Sequence, residues 1–152
     1  MKALVAYYSR TNITEKLAQE IAKKCDADTE RITTDVNYSG KIGYARAGKD
    51  AMTEKKIDIN PLKHDPADYD IVYIGTPVWA SKAASPVVSY IRQNEGKFKN
   101  VRFFATAGKS GFEQTFSQME KFVKKAPQKT LGLTTKEVKS NTYSEKLVEF
   151  LE

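Results

Sequence analysis

Apolar and polar positions alternate along this chain with two periods, one of strands and one of helices, and the two take turns. Lys2 to Tyr8 is an apolar run closing on two tyrosines, the pattern of a parallel strand buried on both faces. A polar turn, Ser9 to Asn12, follows, and Ile13, Leu17, Ile21 and Cys25 then recur at i, i+4 spacing along one helical stripe. Asn12 with Glu15 three residues later has the form of a capping box, which predicts a helix start at Asn12 or Ile13. Asp28 to Thr33 is weakly patterned and suits an edge strand. Tyr38 to Lys56 mixes helix formers with Gly40, Gly43 and Gly48, which predicts a helix with loose ends. Pro61 to Asp68 reads as a loop. Ile71-Val72-Tyr73-Ile74 is the strongest strand signal, and it stops at Gly75-Thr76-Pro77.

The second half repeats the alternation. Ser85 as cap and Pro86 at the first helical position predict a helix that ends near Gly96. Val101 to Thr106 is a strand running into Ala107-Gly108-Lys109-Ser110-Gly111. Phe112, Phe116, Met119, Phe122 and Val123 form a helical stripe of core character that Pro127 terminates. Thr130 to Val138 is predicted as the last strand and Tyr143 to Leu151 as the last helix. Strand followed by helix, about five times over, predicts an α/β fold with a parallel sheet and helices on both faces. There is no internal repeat, low-complexity segment or linker, so residues 1–152 are expected to form a single domain.

Composition narrows the classes of function. No apolar run approaches the roughly 18 to 20 residues that span a bilayer, and no signal-peptide pattern opens the sequence, so a cytoplasmic protein that does not enter membranes is expected. The single cysteine, Cys25, excludes an internal disulfide and a thiolate metal cluster. No metal site is expected. With 25 Lys and Arg against 19 Asp and Glu the formal charge is +6. That balance suits an acidic partner or a phosphate ligand, but the basic residues are scattered and no nucleic-acid motif accompanies them, so nucleic-acid binding is not expected. His64, the only histidine, lies in a Pro-flanked acidic loop and is expected to be exposed rather than catalytic.

In open parallel sheets ligands sit beyond the carboxyl ends of the strands, where the strand order reverses. Three loops therefore matter. Ser9-Arg10-Thr11-Asn12-Ile13-Thr14 places hydroxyls and free backbone N–H groups at a helix start, where a phosphate finds donors without a lysine. Helix capping alone is the other account of these residues. Walker and dinucleotide glycine patterns are absent from the loop, which disfavours ATP and NAD as the primary ligand. Gly75-Thr76-Pro77-Val78-Trp79-Ala80 holds the only tryptophan and offers backbone groups to the edge of a flat heterocycle and an indole face to stack on, unless Trp79 folds back onto a helix. In the third loop Gly108 and Gly111 let backbone approach a ligand, although a plain strand-to-helix turn would use the same glycines.

The first loop resembles the flavodoxin phosphate loop, usually Ser/Thr-x-Thr-Gly-x-Thr, and the second resembles that family's isoalloxazine loop. Thr106 to Gly111 is similar to its third loop, so the resemblance runs along nearly the whole chain. It implies a flavodoxin-like three-layer sandwich whose five parallel strands are ordered 2-1-3-4-5. It also implies a non-covalently bound flavin mononucleotide (FMN). Placement of FMN at the β1/β3 switch point of flavodoxin is a known example of the general rule. By the same resemblance Ser9, Arg10, Thr11, Asn12, Ile13 and Thr14 would hold the phosphate. Thr76, Pro77, Val78, Trp79 and Ala80, with Ala107, Gly108 and Gly111, would hold the ring. Two positions depart from the pattern: Asn12 stands where the family has Gly, which Asn replaces at the least cost in left-handed dihedrals, and Ile13 stands where a polar residue is usual.

The implied function is an electron-transfer protein, a flavodoxin, whose cofactor carries the redox chemistry and which nominates no catalytic acid, base or nucleophile of its own. Its positive charge implies acidic redox partners of ferredoxin-like kind, and the expected state is a monomer or weak dimer. The alternative is an NAD(P)H-dependent quinone or flavin reductase of the same superfamily. A flavin-free interaction module is a third possibility.

Overall fold

The computed structural model describes residues 1–152. Strands β1 (Ala3–Tyr7), β2 (Asp28–Arg31), β3 (Ile71–Trp79), β5 (Val101–Ala107) and β6 (Thr130–Thr134) pair in parallel in the order β2-β1-β3-β5-β6, and the short β4 (Lys82–Ala83) pairs antiparallel with the end of β3. Helices α1 (Ile13–Cys25), α2 (Gly40–Met52), α3 (Ser85–Gln93), α4 (Phe112–Val123), α5 (Thr135–Ser140) and α6 (Ser144–Leu151) complete a three-layer sandwich.

The strands are apolar at successive positions because helices cover both faces. Leu4, Ala6, Val72, Ile74 and Phe103 point to the layer of α2, α3 and α4, where Ala47, Val87, Ile91 and Met119 meet them. Val5, Tyr7, Tyr73, Phe104, Leu131 and Leu133 point the other way, onto Leu17 and Ile21 of α1 and Leu147 and Phe150 of α6. The Phe104 ring crosses Gly75 so closely that a Cβ on Gly75 would lie 2.1 Å from it, so the neighbouring strand carries a glycine where this ring passes. Register places Tyr7 beside Gly75 and Pro77 beside Thr106, which brings the carboxyl ends of β1, β3 and β5 together.

Some boundaries differ from those expected. The last strand stops at Thr134 instead of reaching Val138, because Thr134 and Glu137 close a capping box: the Glu137 N–H donates to Thr134 Oγ1 at 3.1 Å and the Thr134 N–H to Glu137 Oε1 at 3.0 Å. Ser85 lies inside α3 rather than at its cap. The Ala84 carbonyl accepts from both Val87 and Val88, which makes Ala84 the capping residue. His64 is half-buried, with Nδ1 2.9 Å from the Tyr69 hydroxyl, at the opposite end of the sheet from the three loops.

Lys146 bonds the Glu137 carboxylate at 2.7 Å, and this bond followed by the Thr134 N–H holds the carboxyl below the ordinary value of 4.5. A carboxyl pKa lowered by folding adds stability above the unfolded value, and that stability is lost as pH falls through the folded one. Urea titrations are therefore expected to show stability declining as pH drops below about 4.5, with Glu137→Gln flattening part of that decline. Thr134→Ala should cost about 1 kcal/mol at neutral pH.

Candidate functional site

Strand order reverses between β1 and β3: the chain leaves β1 toward β2 on one side and leaves β3 toward β5 on the other. The Tyr8 N–H still reaches Gly75 O at 3.3 Å, one residue beyond β1, and there the two strands part. Loop residues 9–12 lead from this point into α1. Asn12 occupies the N-cap position with φ 67° and makes no side-chain cap bond, so the Asn12–Glu15 capping box is not formed. Ser9 Oγ accepts the Glu15 N–H at 3.1 Å in its place, and the Glu15 carboxylate turns to Arg31 at 2.6 Å. The left-handed dihedral accounts for the failure, because it rotates the Asn12 side chain away from the first turn.

The N–H groups of Arg10, Thr11, Asn12, Ile13 and Thr14 donate to no protein acceptor. Beneath them the hydroxyls of Thr14 and Thr106, both buried, lie 2.8 Å apart. Ser9 keeps its hydroxyl proton, and Thr11 is exposed. Arg10 does not point into this set. Its Nε donates to Tyr38 O at 2.7 Å and its Nη2 to Gly40 O at 3.0 Å, with the guanidinium over the Tyr44 ring at 5.4 Å, so it staples the loop to the start of α2. A set of N–H and O–H donors at a helix start, whose nearest carboxylate is already neutralised by an arginine, has the chemistry of an anion site.

The second loop is a hairpin. β3 continues to Trp79, and Ala80 and Ser81 turn the chain with φ 50° and 63° so that Lys82 pairs back with Trp79. A turn with two positive φ values usually takes Asn-Gly, and neither residue here is glycine. Backbone strain of this kind gathers at functional loops. Thr76 Oγ1 donates to Pro77 O at 2.7 Å and accepts from Ala84 N at 2.9 Å, tying both arms of the hairpin together. Val78 and Pro77 are half-buried and Ala80 is exposed.

Trp79, expected to offer a face for stacking, is 7% exposed. Its ring meets Tyr8 at 5.5 Å and Tyr38 at 4.8 Å between centroids, both edge-on. Burial of the indole is worth several kcal/mol on area alone (about 25 cal/mol per Å²), which favours this inward packing. Burial also raises the phenol pKa of both tyrosines, and at Tyr38 the Asp50 carboxylate, which accepts its hydroxyl at 2.8 Å, raises it further.

In the third loop Ala107 is buried and Gly108 is exposed, with open space where a Cβ would stand. Gly111 has φ 99°, and a Cβ there would meet Val78 Cγ1 at 2.9 Å and Ser81 at 3.3 Å, so third loop and hairpin touch at this glycine. Phe112, the nearest aromatic, rests on Gly132 of β6, where a Cβ would lie 2.5 Å from its ring. The three loops thus meet at the carboxyl ends of β1, β3 and β5, the place where a parallel sheet of this order has its crevice. The sequence places Thr106 only at the start of the third-loop resemblance and gives Tyr38 and Ser81 no part in the site, because their parts depend on contacts from distant segments. No group of three or more His, Cys, Asp or Glu side chains is placed to hold a metal ion, and no helix is long and apolar enough to cross a membrane.

Fold and loops together define an α/β protein with unpaired backbone donors gathered at its switch point. The sequence profile of the flavodoxin family matches residues 2–151, and the chain belongs to that family. Among solved structures, a flavoprotein from Lactobacillus acidophilus NCFM in complex with FMN is 21% identical, with a TM-score of 0.73 over 94% of this chain and 98% of its own. A protein from Bacteroides uniformis ATCC 8492 is 24% identical, with a TM-score of 0.74 over 93% of this chain and 97% of its own. An NADPH-quinone reductase from P. pentosaceus is 11% identical, with a TM-score of 0.56 over 99% of this chain and 95% of its own. No curated protein matches the sequence.

As Trp79 is the only tryptophan, fluorescence reports its packing directly. The ligand-free protein is expected to show the blue-shifted emission of a buried indole, and Trp79→Ala to cost about 3–5 kcal/mol of stability. Emission at the wavelength of a water-exposed indole would contradict the packing against Tyr8 and Tyr38.

Proposed function

We propose that the crevice binds FMN and that the protein is an FMN-dependent oxidoreductase, passing electrons from a nicotinamide nucleotide to a small planar acceptor such as a quinone or a free flavin. Family membership and the donor chemistry of the first loop support the cofactor. The residues present fit it: the free N–H groups of Arg10 to Thr14 and the hydroxyls of Ser9, Thr11 and Thr14 would hold the phosphate. Backbone groups of Thr76 to Ala80 would bond the polar edge of the ring, and Ala107, Gly108 and Gly111 would let the third loop lie close to it. Asn12 and Ile13 contribute backbone, and Arg10 holds their loop in place. FMN supplies the redox chemistry when bound.

The observation that carries the choice of an enzyme is the placement of the aromatics. Trp79 is packed edge-on against Tyr8 and Tyr38, and Phe112 is seated on Gly132. Neither ring lies across the crevice, which leaves room for a planar substrate against the cofactor. The reductase named above shares the fold, which is consistent with this use of it.

A second function, electron carriage between proteins, is favoured by the shortness of the rim: a two-residue turn at Ala80–Ser81 and a tight Gly108–Gly111 segment leave little material for a nucleotide site. Its partners would be acidic, in keeping with the charge of +6. Rates with an acidic ferredoxin-like donor would then fall as salt rises.

Steady-state oxidation of NADPH by the FMN-loaded protein, with a soluble quinone and no separate reductase, distinguishes the two. The enzyme is expected to exceed an equal concentration of free FMN by at least about tenfold, a barrier difference of about 1.4 kcal/mol. A rate equal to that of free FMN, alongside salt-sensitive reduction by an acidic protein donor, would assign the carrier function instead.

A further inference from the structure

Thr14 and Thr106 form a buried hydroxyl pair that joins the first loop to the end of β5. Their oxygens are 2.8 Å apart, their residues are 2% and 4% exposed, and neither hydroxyl has another side-chain or backbone partner. Thr14 in particular does not bond back to a carbonyl one turn earlier, the usual recourse of a helical threonine. Each hydroxyl carries one proton and two lone pairs. One bond between them consumes one proton, so the pair holds a second proton with no acceptor in the protein. A buried donor in that state is costly unless a ligand takes its proton.

Two arrangements are open to the pair. If Thr14 donates to Thr106, the spare proton belongs to Thr106, whose cross-strand neighbours on the sheet are Pro77 and Leu133. If Thr106 donates to Thr14, the spare proton belongs to Thr14, in the first turn of α1, beside the unpaired N–H groups of Arg10 to Thr14. Only the second adds a donor to the anion site, and an anion there would select it by accepting the proton. The chain of two hydroxyls is then polarised in one direction, toward negative charge.

We infer that Thr106 is the positioning residue of the phosphate subsite: its hydroxyl donates to Thr14 Oγ1 and thereby turns the Thr14 proton toward the ligand's phosphate. This rests on the proposed binding of FMN. It predicts an effect specific to the phosphate, because the pair lies under the first loop and Thr106 reaches the ligand only through Thr14. Thr106 also stands at the end of β5, just before the third loop, so a merely structural role would disturb the ring as much as the phosphate.

The test compares FMN with riboflavin, which has the same ring and no phosphate, by fluorescence titration of wild type, Thr106→Val and Thr106→Ser. Wild type is expected to bind FMN more tightly than riboflavin. Thr106→Val, which keeps the shape and removes the hydroxyl, should weaken FMN about tenfold and leave riboflavin within about twofold. Thr106→Ser should restore FMN affinity to within about threefold of wild type. Adding Thr14→Val to Thr106→Val should cost less than Thr14→Val does alone, since the two residues act as one unit. Should Thr106→Val fail to fold, the FMN-to-riboflavin ratio in Thr106→Ala supplies the same comparison. Equal losses for both ligands, no loss for FMN, or a serine variant as weak as the valine one would overturn the inference while leaving FMN binding intact. A wild-type protein that binds riboflavin as tightly as FMN, or neither, would overturn the phosphate site itself.

Discussion

Every α-helix begins with N–H groups that its own turns cannot satisfy, and the start of α1 leaves them open at the one place where the sheet splits. A capping side chain can relieve such groups, though of the six α-helices here only α5 has one. Here the residue at the cap, Asn12, is in a left-handed conformation and makes no cap bond, and Ser9 relieves only the Glu15 N–H. The donors that remain are gathered between β1 and β3, with the Glu15 carboxylate drawn off by Arg31. Water can serve such groups, but an anion serves them better because the helix dipole adds to the individual bonds.

Two sets of contacts hold the loop in shape from opposite sides. Outside, Arg10 bonds the carbonyls of Tyr38 and Gly40, and Tyr38 in turn packs on Trp79, so the first loop and the hairpin share an aromatic support. Inside, the Thr14–Thr106 pair ties the same loop to the end of β5. Third loop and hairpin meet at Gly111. A site braced in this way would lose little conformational entropy if a ligand entered, which is where rigid sites gain affinity. The same bracing engages Tyr8, Tyr38 and Trp79 with one another.

Much of this organisation is legible from residue pattern. Buried parallel strands announce themselves as unbroken apolar runs, and the helices between them as stripes, so layer order and the three loops at the strand ends follow from local information alone. The pattern misleads where a distant contact or a single dihedral decides. Asn12 and Glu15 have the spacing of a capping box, but the box needs extended backbone at the cap and Asn12 has φ 67°. Thr134 and Glu137 have that spacing too, and there the box forms; the signal was hidden because Thr130 to Thr134 continues in β-branched character into Thr135. The orientation of Trp79 was undetermined because Tyr8 and Tyr38, which receive it, come from other segments. Thr106 has the pattern of any polar residue at a strand end, because its partner Thr14 comes from a distant segment.

If the donors of the first loop, with the hairpin and third loop, form one FMN site, backbone amide NMR of the ligand-free protein titrated with FMN will locate it. The expected result is saturable binding with the largest shift changes at Arg10 to Thr14, at Val78 to Ala80 and at Ala107 to Gly111, and small changes in the helices of both outer layers. No binding, or changes centred away from these three loops, would contradict the account.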